Sequence, residues 1–108
     1  LDVDSTLSGV EGIDWLAARR GPDVAARVAD ATERAMRGEI LLDAVYGERL
    51  ALVRPSRDDL HALAQAYFDA LAPDAIETVF LLRDAGVRLA LVSGGLRQAI
   101  YPFARELD

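Results

Sequence analysis

The 108-residue chain has the length of one small domain or of one part of a larger protein. Its 18 acidic residues outnumber its 12 basic ones, and the formal net charge of -6 disfavours a nucleic acid or an anionic membrane surface as a partner. The absence of cysteine excludes a disulfide framework and a thiolate metal site, and no apolar run approaches the roughly 20 residues that cross a bilayer. We therefore expect a soluble, cytoplasmic, folded protein.

Two carboxylates one residue apart stand at the start of the chain. Residues 2–7 are Asp-Val-Asp-Ser-Thr-Leu, and if this segment ends a strand, Asp2 and Asp4 point to the same side. Such a pair either binds a cation or keeps a proton on one carboxyl at neutral pH. The pattern is also typical of a solvated turn or of the metal-chelating pair of a sugar-nucleotide transferase. A calcium loop is excluded, because Leu7 and Ile13 occupy the positions that require Gly and Glu.

The sequence predicts six helices. Apolar side chains recur at steps of three and four residues, and Gly or Pro follows each of the first three segments. Asp23 is the expected N-cap of the second helix, and Ser56 with Asp59 is expected to form a capping box on the fourth. Asp74 with Glu77 is expected to cap the fifth helix in the same way. The predicted helices cover residues 11–20, 23–38, 41–53, 56–71, 74–85 and 97–107.

One short apolar run near the end of the chain predicts a strand. Residues 87–92, Val-Arg-Leu-Ala-Leu-Val, are typical of a strand buried on both faces of a parallel sheet, and Ser93 with Gly94 follows it. Unpaired backbone N–H groups at a helix start bind anions, and glycines let the anion approach closely. Because ligands collect at the carboxyl ends of parallel strands, we expect residues 2–7 and Ser93 at one sheet edge, as a phosphate-binding site.

The combined motifs resemble a known family. Residues 1–7 and 89–95 are similar to the first two motifs of the haloacid-dehalogenase-like hydrolases. The resemblance implies an α/β fold, with a partial Rossmann-like parallel-sheet core formed by residues 1–8 and 73–108 and truncated at both ends. It implies a helical cap, residues 9–72, inserted after the first motif. Within that cap, four segments resemble the phosphoserine phosphatase family: residues 11–14, 35–38, 48–53 and 55–57.

The resemblance also implies a reaction and a role for each motif residue. The reaction is the Mg²⁺-dependent hydrolysis of O-phosphoserine to L-serine and phosphate in serine biosynthesis, with Asp2 as the nucleophile that becomes an aspartyl phosphate. Asp4 would act as general acid and then as general base. Asp2 and Asp4 would both bind the metal, Asp4 through its backbone carbonyl. The Ser93 hydroxyl and the Gly94 N–H would hold the phosphoryl oxygens.

Three cap residues are implied to bind the rest of the substrate. Glu11 would meet the ammonium group, Arg49 would pair with the carboxylate through two hydrogen bonds, and Met36 would pack beside the substrate. Each residue also has a structural interpretation. Glu11 favours a helix N-terminus, Arg49 and Glu48 form a solvated pair, and Met36 belongs to the core.

Two features depart from the family pattern. Leu42 stands where the family generally has an aromatic residue, and the later motifs, a lysine and a further acidic pair that completes the magnesium site, are expected beyond residue 108. We therefore expect the 108-residue chain alone to be inactive. Two alternatives stay open: a phosphatase or phosphotransferase for another small phosphomonoester, and a non-catalytic domain that binds a phosphorylated ligand.

Overall fold

A computed structural model describes residues 1–107 of the chain. Its helices are, in order, α1 (Gly12–Arg20), α2 (Pro22–Met36), α3 (Leu42–Val53), α4 (Arg57–Asp69), α5 (Ala75–Asp84) and α6 (Arg97–Glu106). Each of the six lies where apolar periodicity predicts a helix, so these predictions are confirmed to within about one turn. Within the described residues, no helix combines the length and the apolar character needed to cross a membrane.

The start of α4 is capped as predicted. Ser56 Oγ accepts a hydrogen bond from the Asp59 N–H at 3.1 Å, and the Asp59 carboxylate accepts one from the Ser56 N–H at 2.9 Å. Arg20 donates to Asp59 and also to the carbonyls of Val53 and Arg54, at 2.7 and 3.0 Å. Hydrogen bonds from the Ser56 N–H and hydroxyl hold the pKa of the Asp59 carboxyl well below its ordinary value, and Arg20 makes a smaller contribution in the same direction. One arginine thus ties the ends of α1 and α3 to the start of α4.

The caps predicted for two other helices are wrong. Asp74 precedes α5 but has a left-handed backbone with φ 61°, and its side chain caps nothing. An N-cap needs an extended backbone to aim its oxygen at the first helical turn, and composition does not reveal that Asp74 lacks one. Helix α2 begins at Pro22, with Gly21 rather than Asp23 in the N-cap position. Proline suits the first helical position, because the N–H that it lacks has no partner there.

The predicted strand 87–92 is not formed within the described residues. Asp2 and Val92 make a single parallel bridge, in which the Val92 N–H donates to the Leu1 carbonyl at 2.8 Å and the Leu1 amino group donates to the Ala90 carbonyl at 2.7 Å. The segment therefore runs parallel to the start of the chain, as predicted. It is not buried on both faces, since Val92 is 72% exposed. No other described segment pairs with it, and one bridge does not make a ladder.

Helix α4 connects α6 to the first three helices. It contacts both α1 and α6, while α2 and α3 pack with α1. The rings of Tyr67 and Phe68 lie 5.9 and 5.1 Å from the Phe103 ring of α6, centroid to centroid. One apolar cluster therefore contains residues from both sides of position 73. The division into core and cap at that position stays a prediction.

Candidate active site

Asp4 accepts hydrogen bonds from three separate parts of the chain. Its Oδ1 accepts from the Gly12 backbone N–H and from the Tyr67 hydroxyl, both at 2.8 Å. Its Oδ2 accepts from the Ser93 hydroxyl, also at 2.8 Å. These donors come from the start of α1, from α4 and from the loop before α6. The structure thus brings together the two motifs that sequence analysis places at one edge.

Asp2 stands two residues before Asp4 in the chain and is exposed. Its Oδ1 accepts from the Val3 N–H at 2.9 Å, and its Oδ2 accepts from the Thr6 hydroxyl at 3.0 Å. A carboxylate has about four acceptor positions, so each oxygen of Asp2 keeps one for a ligand. Because both donors belong to the same turn, the orientation of Asp2 is determined locally.

Glu11 is connected to the first motif through Ser5. The Ser5 hydroxyl donates to Glu11 Oε1 at 2.6 Å, and the Ser5 backbone N–H donates to the Val10 carbonyl at 3.3 Å. Ser5 has a left-handed backbone with φ 54°, which is uncommon outside glycine and marks a tight turn. Glu11 stands immediately before α1 and is exposed. Its second carboxylate oxygen is therefore available to a ligand that approaches Asp2 and Asp4.

Ser93 connects the loop before α6 to Asp4. While its hydroxyl donates to Asp4, its Oγ also accepts from the Gly95 N–H at 2.8 Å. Gly94 is exposed, and a Cβ built on it would meet no atom within 4 Å. The loop therefore combines an oriented hydroxyl with open space beside the backbone, which is the arrangement predicted for an anion site.

Arg49 of α3 has an unused hydrogen-bond donor. Its side chain is 18% exposed, and its Nη2 lies 3.6 Å from Asp14 Oδ2. Its Nε is buried and has no hydrogen-bond partner among the described residues. Glu48 pairs instead with Arg34 at 2.6 Å, so the interpretation of Arg49 and Glu48 as a solvated pair is wrong. A guanidinium with an unpaired N–H can still donate to a carboxylate ligand.

Met36 and Leu42 are open to solvent at the junction of two helices. Met36 is the last residue of α2, Leu42 is the first of α3, and their exposed fractions are 84% and 78%. The interpretation of Met36 as a core residue is therefore wrong. Both side chains offer an apolar surface, but neither belongs to the hydrogen-bonded cluster around Asp4.

Tyr67 and Gly12 are site residues that sequence analysis missed. The helical spacing of α4 predicts a core position for Tyr67, and the residue is fully buried, yet its hydroxyl reaches Asp4. Burial raises the pKa of Tyr67, and the hydrogen bond to Asp4 raises it further by a smaller amount, so the Tyr67 hydroxyl stays a donor at neutral pH. A Cβ added to Gly12 would overlap this hydroxyl. The available signal was the chemistry of tyrosine, because a buried hydroxyl needs a partner.

The site offers oxygen ligands to a metal ion. Asp2 and Asp4 can supply carboxylate and backbone carbonyl oxygens, which suit a hard cation such as Mg²⁺ better than a softer metal. Among residues 1–107, no group of three or more His, Cys, Asp or Glu side chains could hold a metal ion. Mg²⁺ requires about six oxygens and usually keeps several waters. The residues present therefore fit part of a magnesium site, and the other ligands would be water or other groups.

Comparison with known proteins gives concordant matches. The family model for haloacid dehalogenase-like hydrolases matches residues 1–108. The phosphoserine phosphatase of Rattus norvegicus is 40% identical over 107 residues, which are 99% of this chain and 47% of the relative. Phosphoserine phosphatase SerB2 of Mycobacterium tuberculosis is 41% identical over 112 residues, covering 98% and 25% of the two chains.

A solved structure gives the same result. The crystal structure of a phosphoserine phosphohydrolase-like protein from Francisella tularensis matches with a TM-score of 0.82 and 27% sequence identity. The match covers 98% of this chain and 51% of that one. The chain thus spans about half the length of that protein and of the rat relative, and about a quarter of the mycobacterial one.

Proposed function

The chain belongs to the haloacid dehalogenase-like hydrolase family, and on that premise we propose that it carries part of the active site of a phosphoserine phosphatase. The whole protein would hydrolyse O-phosphoserine to L-serine and phosphate. The observation that carries the proposal is the 2.8 Å hydrogen bond from Ser93 to Asp4, which joins two motifs 89 residues apart. The identity of 40% to the rat phosphoserine phosphatase supports the choice of substrate.

Asp2 is the proposed nucleophile and Asp4 the proposed general acid and base. A free lone pair of the exposed Asp2 carboxylate attacks phosphorus and the bond from phosphorus to the serine oxygen breaks. Asp4 enters this step in its protonated form and gives its proton to that oxygen as serine leaves. Asp4 then takes a proton from the water that hydrolyses the aspartyl phosphate. A magnesium ion held by the Asp2 carboxylate and the Asp4 backbone carbonyl would supply charge neutralisation for the phosphoryl group.

The Ser93 hydroxyl connects phosphate binding to the hydrogen bonding of Asp4 Oδ2. A hydroxyl can donate one hydrogen bond, and in this structure Ser93 donates it to Asp4 Oδ2 at 2.8 Å. When a phosphoryl oxygen accepts this hydrogen bond instead, Asp4 Oδ2 loses it and is free to face the leaving serine oxygen. The Gly94 N–H, beside open space, is the proposed second donor to the phosphoryl group.

Three further residues are proposed to recognise the amino acid part of the substrate. Arg49, whose buried Nε has no partner among the described residues, would bind the carboxylate. Glu11, whose Oε1 is occupied by Ser5, would receive the ammonium group on its second oxygen. Met36, which is largely exposed, would lose water by packing against the bound substrate.

The test compares two phosphate esters in the full-length protein. O-phosphoserine carries an ammonium and a carboxylate, whereas O-phosphoethanolamine keeps the ammonium and lacks the carboxylate. We expect Arg49→Ala to lower kcat/KM for O-phosphoserine on the order of 10²-fold, since two charge-assisted hydrogen bonds are lost. The already slower hydrolysis of O-phosphoethanolamine should change by less than about threefold, because that ester makes no such bonds.

Arg34→Ala is the matched control for this experiment. Arg34 is an arginine of α2 whose guanidinium already pairs with Glu48 and Asp30, and its removal should leave both rates unchanged. Equal losses on the two esters in Arg49→Ala would reject phosphoserine as the substrate and favour another small phosphomonoester. A folded full-length protein that hydrolyses neither ester in the presence of Mg²⁺ would favour the non-catalytic alternative.

A further inference from the structure

Tyr67 lies on α4, a helix whose buried apolar side chains pack in the core, and its hydroxyl extends to the candidate site. Its side chain is fully buried, its ring lies 5.9 Å from that of Phe103, and its hydroxyl donates to Asp4 Oδ1 at 2.8 Å. We propose that Tyr67 is a positioning residue that orients the Asp4 carboxylate for proton transfer. The inference rests on the role proposed above for Asp4 in phosphoester hydrolysis.

The two oxygens of Asp4 have different surroundings. Oδ1 accepts from both Tyr67 and Gly12, which fills the two acceptor positions of that oxygen. Oδ2 accepts from Ser93, whose hydroxyl hydrogen can turn towards another acceptor. The two donors on Oδ1 therefore define the carboxylate plane and leave Oδ2 as the oxygen available to a substrate.

Tyr67 is well suited to hold this orientation because it cannot easily move. A terminal carboxylate torsion has a broad energy profile, so Asp4 alone does not select one plane. The Tyr67 ring is enclosed in the apolar core, and this places its hydroxyl rigidly. Displacement of a catalytic group by about 1 Å can lower a rate on the order of 10²-fold. Loss of the Tyr67 hydroxyl is therefore expected to affect the chemical step more than substrate binding.

Gly12 and Tyr67 are matched to each other. A Cβ built on Gly12 would overlap the Tyr67 hydroxyl and would lie 3.2 Å from Tyr67 Cζ and 3.3 Å from Asp4 Oδ1. Glycine is therefore required at position 12 by the hydroxyl at position 67, and not by its own backbone conformation, because Gly12 is an ordinary residue of α1. Removing the hydroxyl should relieve most of this overlap.

The kinetic test uses Tyr67→Phe in the full-length protein. We expect kcat for O-phosphoserine to fall by roughly 10-fold to 10²-fold while KM changes by less than about twofold, because Tyr67 contacts Asp4 and not the substrate. Tyr101→Phe, which removes the hydroxyl of an exposed tyrosine on α6, is the control and should change neither parameter. An unchanged kcat in folded Tyr67→Phe, or a rise in KM at constant kcat, would overturn the proposal.

A thermal-unfolding cycle tests the match between the two residues without any measurement of activity. Gly12→Ala should lower Tm by several degrees in the wild-type background and by less than half as much in the Tyr67→Phe background. Equal shifts in both backgrounds would reject the match. If the wild-type protein hydrolyses a phosphomonoester other than O-phosphoserine, the substrate assignment fails and the same kinetic comparison, made with that ester, still decides the role of Tyr67. A wild-type protein without phosphomonoesterase activity would overturn the proposed function together with that role.

Discussion

Asp2 and Asp4 lie one residue apart and are held in opposite ways. Asp2 accepts hydrogen bonds from its own turn and is exposed, whereas Asp4 accepts from Gly12, Tyr67 and Ser93, which come from three other parts of the chain. The two residues have the same chemistry, so tertiary contacts create the difference. An exposed carboxylate with free lone pairs suits attack on phosphorus, and a carboxylate fixed from several sides suits directed proton transfer.

The largest effect is expected when the Asp2 carboxylate is replaced by an amide. In the full-length protein, Asp2→Asn should lower phosphoserine hydrolysis by roughly 10⁴-fold or more, because the amide is a poor nucleophile. It should also abolish acid-labile phosphorylation of the protein, as read by mass spectrometry of quenched samples kept at neutral pH and of samples brought to low pH. The fold should be retained, because the hydrogen bonds of the Asp2 side chain among the described residues are all to its own turn.

Asp69→Asn, a change to an exposed acid of α4 that bonds Gln65, is the control for this variant and should be fully active. Persistence of a phosphorylated protein in Asp2→Asn would show that another residue is the nucleophile. The roles of the two carboxylates would then have to be reassigned.

The next prediction concerns stability, for which the change at Asp4 is expected to have a larger effect than the change at Asp2. Asp4→Ala leaves buried donors without acceptors, the Tyr67 hydroxyl among them, and each such donor costs about 1–3 kcal/mol. Asp2→Ala removes local contacts at an exposed position and should change the free energy of unfolding by less than about 0.5 kcal/mol. Urea unfolding of both variants measures the difference. Equal destabilisation would mean that the two carboxylates are held with similar strength.

Asp59 is a third carboxylate for comparison, because it is held both by its own helical turn and by Arg20 of α1 and lies outside residues 1–7 and 89–95. Its pKa is lowered in the folded protein by the Ser56 N–H and hydroxyl and by Arg20. Such a group contributes stability above its unfolded pKa of about 4, and that contribution is lost as pH falls from there towards the folded pKa. We therefore expect Asp59→Asn to be less stable near pH 7 and to lose less stability on acidification than the wild type.

Denaturation midpoints measured between pH 7 and pH 3 test this expectation. The matched control is Asp58→Asn, which changes the exposed neighbour of Asp59 in the same helical turn. A wild-type slope in Asp59→Asn over the acidic range would show that the ion pairs with Arg20 and the cap do not contribute to acid sensitivity.

The helices could be predicted because their determinants are local. Ser56 and Asp59 form a capping box within one turn, and apolar periodicity needs no knowledge of the partner helix. The meeting of Ser93 with Asp4 followed from a general rule about the carboxyl ends of parallel segments. That rule held although the segments make a single bridge rather than strands.

The other features of the fold and of the site depend on tertiary contacts, which a single sequence does not reveal. Residues 87–92 have strand composition, but a strand also needs paired edges, which the described residues do not supply. Asp74 has the residue type of a cap and a backbone that prevents capping. Tyr67 follows the core periodicity of α4, and only the folded chain shows that its hydroxyl ends at Asp4.

The close approach of Gly12 to the Tyr67 hydroxyl also restricts the order in which positions 12 and 67 can be substituted. A side chain at position 12 collides with the hydroxyl as long as tyrosine is present, so that substitution is costly as a first step. Loss of the hydroxyl requires no earlier change at position 12. Single substitutions can therefore exchange this pair in one order only, and a lineage that has filled position 12 cannot readily regain tyrosine at position 67.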